Sequence, residues 1–133
     1  MPKSKQPTQP RHLRWNEDEI QAEQLTPLIR RQYFSTPGMT VARFELKKGC
    51  QVTRHQHANE QVSYIISGAL KFIFDDREIV VRGGEALYIP PNVPHAAEAL
   101  QDTLNFDVFS PARADWLNRK DTYLREVLPM KNR

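Results

Sequence analysis

Histidines at positions 55, 57 and 95 are the side chains in this sequence best suited to hold a metal ion. Neutral imidazole accepts zinc, nickel, iron, manganese or copper, so three such rings brought together would make a site for one divalent transition ion. Two of them lie in Gly49-Cys50-Gln51-Val52-Thr53-Arg54-His55-Gln56-His57-Ala58-Asn59-Glu60-Gln61. Strand alternation would turn His55 and His57 to one face, with Gln61 rejoining that face and Glu60 pointing away unless a bulge reverses it. His95 ends a second run, Gly84-Glu85-Ala86-Leu87-Tyr88-Ile89-Pro90-Pro91-Asn92-Val93-Pro94-His95, where a short apolar strand meets a proline-stiffened turn. The expected metal ligands are therefore the imidazoles of His55, His57 and His95, with Gln61 on the same face.

A second candidate is Asp107, in the strand-like run Leu104-Asn105-Phe106-Asp107-Val108-Phe109. Leu104, Phe106 and Val108 share one face; Asn105, Asp107 and Phe109 share the other. If the mixed face lines a barrel lumen, Asp107 sits near the metal and can exchange a proton with a substrate; otherwise it is a solvent-facing strand aspartate. Cys50, in the turn after Gly49, reads either as a thiolate ligand or as a small buried side chain, and its parity differs from that of the histidines.

The elements that must position these residues are short β-type runs cut by turn residues. Leu28 to Phe34, Met39 to Leu46, Gln61 to Ile66, Leu70 to Phe74, Glu78 to Val81, Ala86 to Ile89 and Leu104 to Phe109 are separated by glycine, proline or paired aspartates. This punctuation predicts an all-β sandwich or closed barrel. After Pro111, Ala114 to Asn118 suits one helical turn, and Tyr123, Leu124, Val127 and Leu128 have the spacing of a short amphipathic helix. Both are expected to pack outside the barrel, with Trp15 and Trp116 covering apolar surface.

The 133 residues have room for one domain with a modest core. Residues 1–14, with Pro2, Pro7 and Pro10, read as a disordered basic tail, and 15–133 as a single domain with its core over 40–111. The net charge of +3 lies in the two ends, where residues 1–14 carry four basic side chains and no acid, while 15–118 are acidic overall. That distribution argues against nucleic-acid binding, which needs a basic patch on a folded surface. One cysteine allows no internal disulfide, and no signal peptide or membrane-spanning run is visible, so a cytoplasmic protein is expected.

Gly49, His55, His57, Gln61 and Gly68, followed by Gly84, Pro90, Asn92 and His95, resemble the two signature motifs of the cupin superfamily, small single-domain cupins of the cupin_2 type in particular. The resemblance covers residues 49–98 and implies a double-stranded β-helix, or jelly-roll barrel, enclosing a metal. Two positions depart from the pattern: Gln61 replaces the usual glutamate, and Asn92 replaces a glycine, which a left-handed backbone tolerates. The resemblance thus implies a metal held by His55, His57, Gln61 and His95, and because none of these is negatively charged, the ion would act as a strong Lewis acid toward a carboxylate, an enolate or water. The run from Asp107 to Leu117 is similar to the tail of cupins related to the pectin-degradation protein KdgF, which open or tautomerise unsaturated uronate sugars. That similarity implies Asp107 as the acid/base residue, Phe109 as a pocket wall and Arg113 as the partner of a substrate carboxylate; otherwise Arg113 is a solvated loop arginine.

Three functions fit these residues: a Lewis-acid enzyme acting by ring opening or isomerisation on a small oxygen-rich substrate, an Fe- or Cu-dependent dioxygenase, and a non-catalytic sugar-binding module. Val62, Tyr64 and Ile66 share a strand face that a second copy could cover, giving a homodimer, with Leu28 to Phe34 adding a strand to the partner's sheet edge.

Overall fold

A computed structural model describes residues 9–125, among which ten strands form two antiparallel sheets. Strands β1 (Glu23–Thr26), β2 (Ile29–Ser35), β3 (Thr40–Leu46), β5 (Glu60–Ser67), β8 (Ala86–Ile89) and β10 (Thr103–Ser110) make a sheet ordered β1-β2-β3-β10-β5-β8. Strands β4 (Gln51–His55), β6 (Ala69–Ile73), β7 (Glu78–Arg82) and β9 (His95–Ala99) make the other, ordered β4-β9-β6-β7. Alternation sorts the side chains: Ala42, Phe44 and Leu46 of β3 face in and meet Leu70, Phe72, Val81 and Ala97 of the smaller sheet in one core. Burying each such phenylalanine contributes about 1.5–3 kcal/mol.

From β3 onward nearly every connection crosses from one sheet to the other, and only β6 and β7 form a hairpin. This crossing makes the jelly roll. Gly68 is the corner where the chain leaves β5 for the opposite sheet, at φ +96°. A Cβ there would lie 2.4 Å from the Asp102 carbonyl oxygen, so a side chain is excluded by both backbone conformation and space.

Seven expected runs are strands. Two strands were not foreseen from the pattern. β1, Glu-Gln-Leu-Thr, has no clear alternation and is held by pairing with β2, so the strand expected to join a partner's edge is already covered within its own chain. β9, His-Ala-Ala-Glu-Ala, contains residues of poor strand propensity and forms because β4 and β6 pair on both its sides.

The C-terminal turns are also placed differently from expectation. Helices α1 (Ala114–Leu117) and α2 (Thr122–Arg125) send Trp116 and Leu124 into the core and Tyr123 against His55, so they cap the barrel rather than decorate its outside. Trp15 does cover the outer face, against Phe34 and Phe106 at ring separations of 5.6 and 5.3 Å. Residues 9–14 hold no strand or helix; the remainder of the expected tail, and Val127 and Leu128, lie outside the described residues.

The two environments of glycine make a direct test. Gly68→Ala should lower the unfolding free energy in urea by about 2 kcal/mol or more. Gly38→Ala, whose Cβ would meet nothing within 4 Å, should change it by less than about 0.5 kcal/mol.

Candidate metal centre

His55 is the last residue of β4 and His95 the first of β9, and the two pair across the sheet. His57 lies beyond the end of β4, in the link that crosses to β5. The shared strand face expected for His55, His57 and Gln61 is thus not what unites them: β4 and β5 belong to opposite sheets, and the chain's passage between the sheets turns the rings together. Asn92, in the left-handed region at φ +61°, donates its backbone N–H to the His57 carbonyl at 2.8 Å. That bond ties the His57 link to the turn that delivers His95, and the backbone angle accounts for asparagine where the family pattern has glycine.

Each ring has its Nδ1 against a carbonyl two residues away: His55 on Thr53 at 2.7 Å, His57 on Asn59 at 3.0 Å and His95 on Val93 at 2.8 Å. A carbonyl only accepts, so each Nδ1 carries the proton and each Nε2 is left with a lone pair. Ligating nitrogens of the three rings lie within 4.8 Å of one another. Burial, reinforced by the neighbouring imidazoles and the Arg113 cation, pushes His55 down to about 3. Burial and Arg113 push His57 down to about 4, and burial lowers His95 as well. At neutral pH the centre therefore presents three neutral ligands.

Gln61 reaches the same place from β5. Its Oε1 is 3.1 Å from His57 Nε2, and because its Nε2 donates to Ser63 Oγ at 2.9 Å, the atom facing the imidazole is an acceptor. Two acceptors at that separation repel unless a cation or proton lies between them, and ligands about 2.1 Å from a shared ion stand about 3 Å apart when roughly at right angles. The residues present therefore fit a divalent transition ion.

The polar chain continues inward. Ser63 Oγ donates to Asp107 Oδ1 at 2.6 Å, and Asn105 Nδ2 donates to the same oxygen at 2.9 Å. Burial raises the Asp107 pKa, while the hydrogen bonds from Ser63 and Asn105 pull it down. Asn105 Oδ1 is buried without a partner. Asp107 faces the lumen, as the mixed face of β10 implied, with Phe109 beside it and Arg113 above Phe109 at 4.6 Å.

His55, Gln61, His95, Asn105, Asp107 and Arg113 share the wall of a cavity of about 50 Å³ with several aromatic rings. Arg113 is only 1% exposed, so it is not a solvated arginine. Its Nε and Nη2 grip Asp115 at 2.8 and 2.6 Å. Glu60 points outward, accepting from Tyr88 Oη at 3.0 Å, and Cys50 is a buried thiol raised by desolvation to about 12, outside the histidine cluster. Ser63 could have been found by the parity it shares with Gln61. Tyr123, stacked on His55 at 4.0 Å, and Trp116 carried no local signal of a place inside the barrel.

The family model described as Cupin domain matches residues 42–109. Among solved structures, KdgF from Halomonas sp. is 28% identical with a TM-score of 0.71, over 79% of this chain and 99% of that one. An RmlC-like cupin from Shewanella frigidimarina NCIMB 400 is 27% identical with a TM-score of 0.72, over 83% and 99%. The polyketide cyclase RemF from Streptomyces resistomycificus, 21% identical with a TM-score of 0.63 over 76% and 80%, shares the fold. No curated protein matches the chain.

Acid should destabilise the metal-free protein through these rings. Their folded pKa values lie below the ordinary 6.5 of an unfolded histidine, so below that pH the unfolded chain takes up protons that the folded one refuses. Stability is complete above about pH 6.5 and declines as pH falls toward 3. Thermal midpoints between pH 7.5 and 5 should show this fall, and His55→Gln should flatten it.

Proposed function

Since the chain belongs to the cupin family, we propose that it is a metal-dependent enzyme that opens or tautomerises an unsaturated uronate or a related sugar acid. The observation that carries the reading is one cavity whose wall joins Asp107 and Arg113 to His55 and His95, two of the three clustered histidines. The likeness to KdgF, at 28% identity over most of both chains, supports it. A divalent ion held by His55, His57, Gln61 and His95 would supply Lewis acidity toward a substrate oxygen.

The chain's own residues do the rest. Arg113 binds the carboxylate, Phe109 walls one side of the sugar ring, and Asn105 Oδ1 accepts a hydrogen bond from a substrate hydroxyl. Asp107, held by Ser63 and Asn105, takes a proton from one substrate atom and returns it to another. The apolar walls keep competing water out. Ring opening and tautomerisation move protons without net oxidation, so the reaction requires no oxygen.

Zinc-loaded protein should consume an unsaturated uronate, followed by loss of the substrate's ultraviolet absorbance, with no oxygen uptake. Asp107→Asn should lower turnover by about 10²-fold or more while leaving the bound metal unchanged. Turnover only with iron or copper and with oxygen consumption would indicate a dioxygenase; ligand affinity without turnover in the wild type would indicate a binding module.

We further propose that the protein is a homodimer. Val62, Tyr64 and Ile66 of β5, Tyr88 of β8 and Val108 of β10 are all exposed on the outer face of the larger sheet, with Tyr88 52% and Tyr64 45% accessible. This contiguous apolar face suits a second copy of itself. Gel filtration should give the mass of two chains, and Tyr64→Glu the mass of one. No helix among the described residues is long and apolar enough to cross a membrane.

A further inference from the structure

The cavity is too small for the substrate class just proposed. A volume of about 50 Å³ admits a few waters, whereas pockets that bury a small organic ligand run to about 300–1,000 Å³. The walls that restrict it are not all barrel. Trp116, Tyr123 and Leu124 come from the cap formed by α1 and α2.

Tyr123 is the central obstruction. Its ring lies nearly parallel to His55, with centroids 4.0 Å apart and planes at 20°, directly over a candidate metal ligand. Its hydroxyl oxygen accepts hydrogen bonds from Arg113 Nη2 and from Trp116 Nε1, the latter at 3.1 Å. Two N–H donors, one of them cationic, therefore converge on a single oxygen at the cavity wall. This is the environment a carboxylate oxygen would choose. The Nε and Nη2 edge of the Arg113 fork is committed to Asp115, and Nη2 also serves the phenol, so a carboxylate oxygen taking the phenol's place would inherit that donor together with Trp116 Nε1.

We infer that Tyr123 is an internal occupant of the substrate site, its ring standing where a six-membered ring would lie and its oxygen where a carboxylate oxygen would bind, and that it must leave for a uronate-sized ligand to enter. The choice of ligand class rests on the function proposed above; the obstruction does not.

The cap is built to move. α1 and α2 are four residues each, too short to be stable alone. Arg119, between them, holds φ at +57°, a left-handed conformation unfavourable for arginine. α2 is fastened by Leu124, buried in the core, and by Asp121, fully buried, which lies 2.9 Å from Arg31 Nη1 and 3.2 Å from Arg125 Nε. The root of the cap stays fixed, because Asn59 Nδ2 donates to the carbonyls of Pro111 and Ala112. Trp116 and Arg113 can therefore remain in place while Tyr123 swings out, leaving both donors aimed at the cavity.

The test uses the full chain loaded with zinc. The rate at which a chelator strips the metal is measured for wild type, Tyr123→Ala and Tyr123→Phe, with zinc affinity and thermal midpoint determined alongside. Removing the ring should speed stripping about tenfold or more at unchanged affinity, because the closed population no longer protects the centre. Tyr123→Phe keeps the stack and loses the contact with the two donors, so its rate should fall between the others. Added uronate should speed trypsin cleavage after Arg119 and Lys120 in the wild type. Equal stripping rates in the three proteins at equal affinity overturn the inference. Accelerated stripping without any response to uronate upholds the obstruction and removes the uronate reading, whereas uronate turnover with unchanged stripping removes the obstruction and leaves that reading standing.

Discussion

The arrangement that everything else depends on is the capture of three Nδ1 protons by three backbone carbonyls. Once Thr53, Asn59 and Val93 hold those protons, the rings cannot satisfy one another: each presents a lone pair, and each is kept neutral by burial. Gln61 adds a fourth acceptor 3.1 Å from His57 rather than a donor that would relieve the cluster. A protein interior seldom gathers acceptors without a donor, because the repulsion and the lost hydration have nothing to offset them. A cation supplies that compensation. The crossing strands, the Asn92 turn and the Gly68 corner are then the means by which backbone carbonyls and rings from separate stretches reach one place.

The same logic explains why glutamine can stand at position 61. Its amide Nε2 donates to Ser63, which frees the Ser63 hydroxyl to donate to Asp107. A glutamate would offer Ser63 no proton and would bring a second carboxylate close to Asp107, so both acids would compete for one hydroxyl. Neutral glutamine keeps the donors running in one direction, from β5 toward β10. It leaves Asp107 as the sole carboxylate in this chain of hydrogen bonds, the condition under which a single acid/base residue can work.

How much of this was legible follows from the range of the interactions. Strand alternation is local, and it correctly put Asn105, Asp107 and Phe109 on one face, which the structure shows to be the inward one, and set Tyr64 with Val62 and Ile66 on an outer face. The two histidine motifs are also local, and their rings do cluster. The reason offered for His57 and Gln61 failed, because alternation was carried across a link where the chain changes sheets. β1 and β9 were hidden for a related reason: their pairing partners, rather than their own propensities, make them strands. The cap was the least visible of all. One-turn helices leave almost no periodic trace, and nothing near Tyr123 in sequence indicates that its ring will meet His55, 68 residues earlier.

Buried charge gives the cap its particular character. Arg31, Arg113 and Asp121 are each at most 1% exposed, and every one has its counterion on or beside the cap. Apolar packing alone would have closed the barrel more cheaply, since desolvating ion pairs commonly cancels most of their attraction. What ion pairs add is a definite geometry that can be exchanged for another: a guanidinium accepts a ligand carboxylate in place of a phenol, whereas an aliphatic plug has no such substitute. Arg113 lies against both Phe109 and Trp116, its guanidinium carbon 4.6 and 4.7 Å from their ring centroids, and so keeps its orientation through such an exchange. The barrel thus holds its cationic side chain ready at the cavity wall, and an anionic ligand gains there the hydrogen bonds that the protein's own tyrosine gives up.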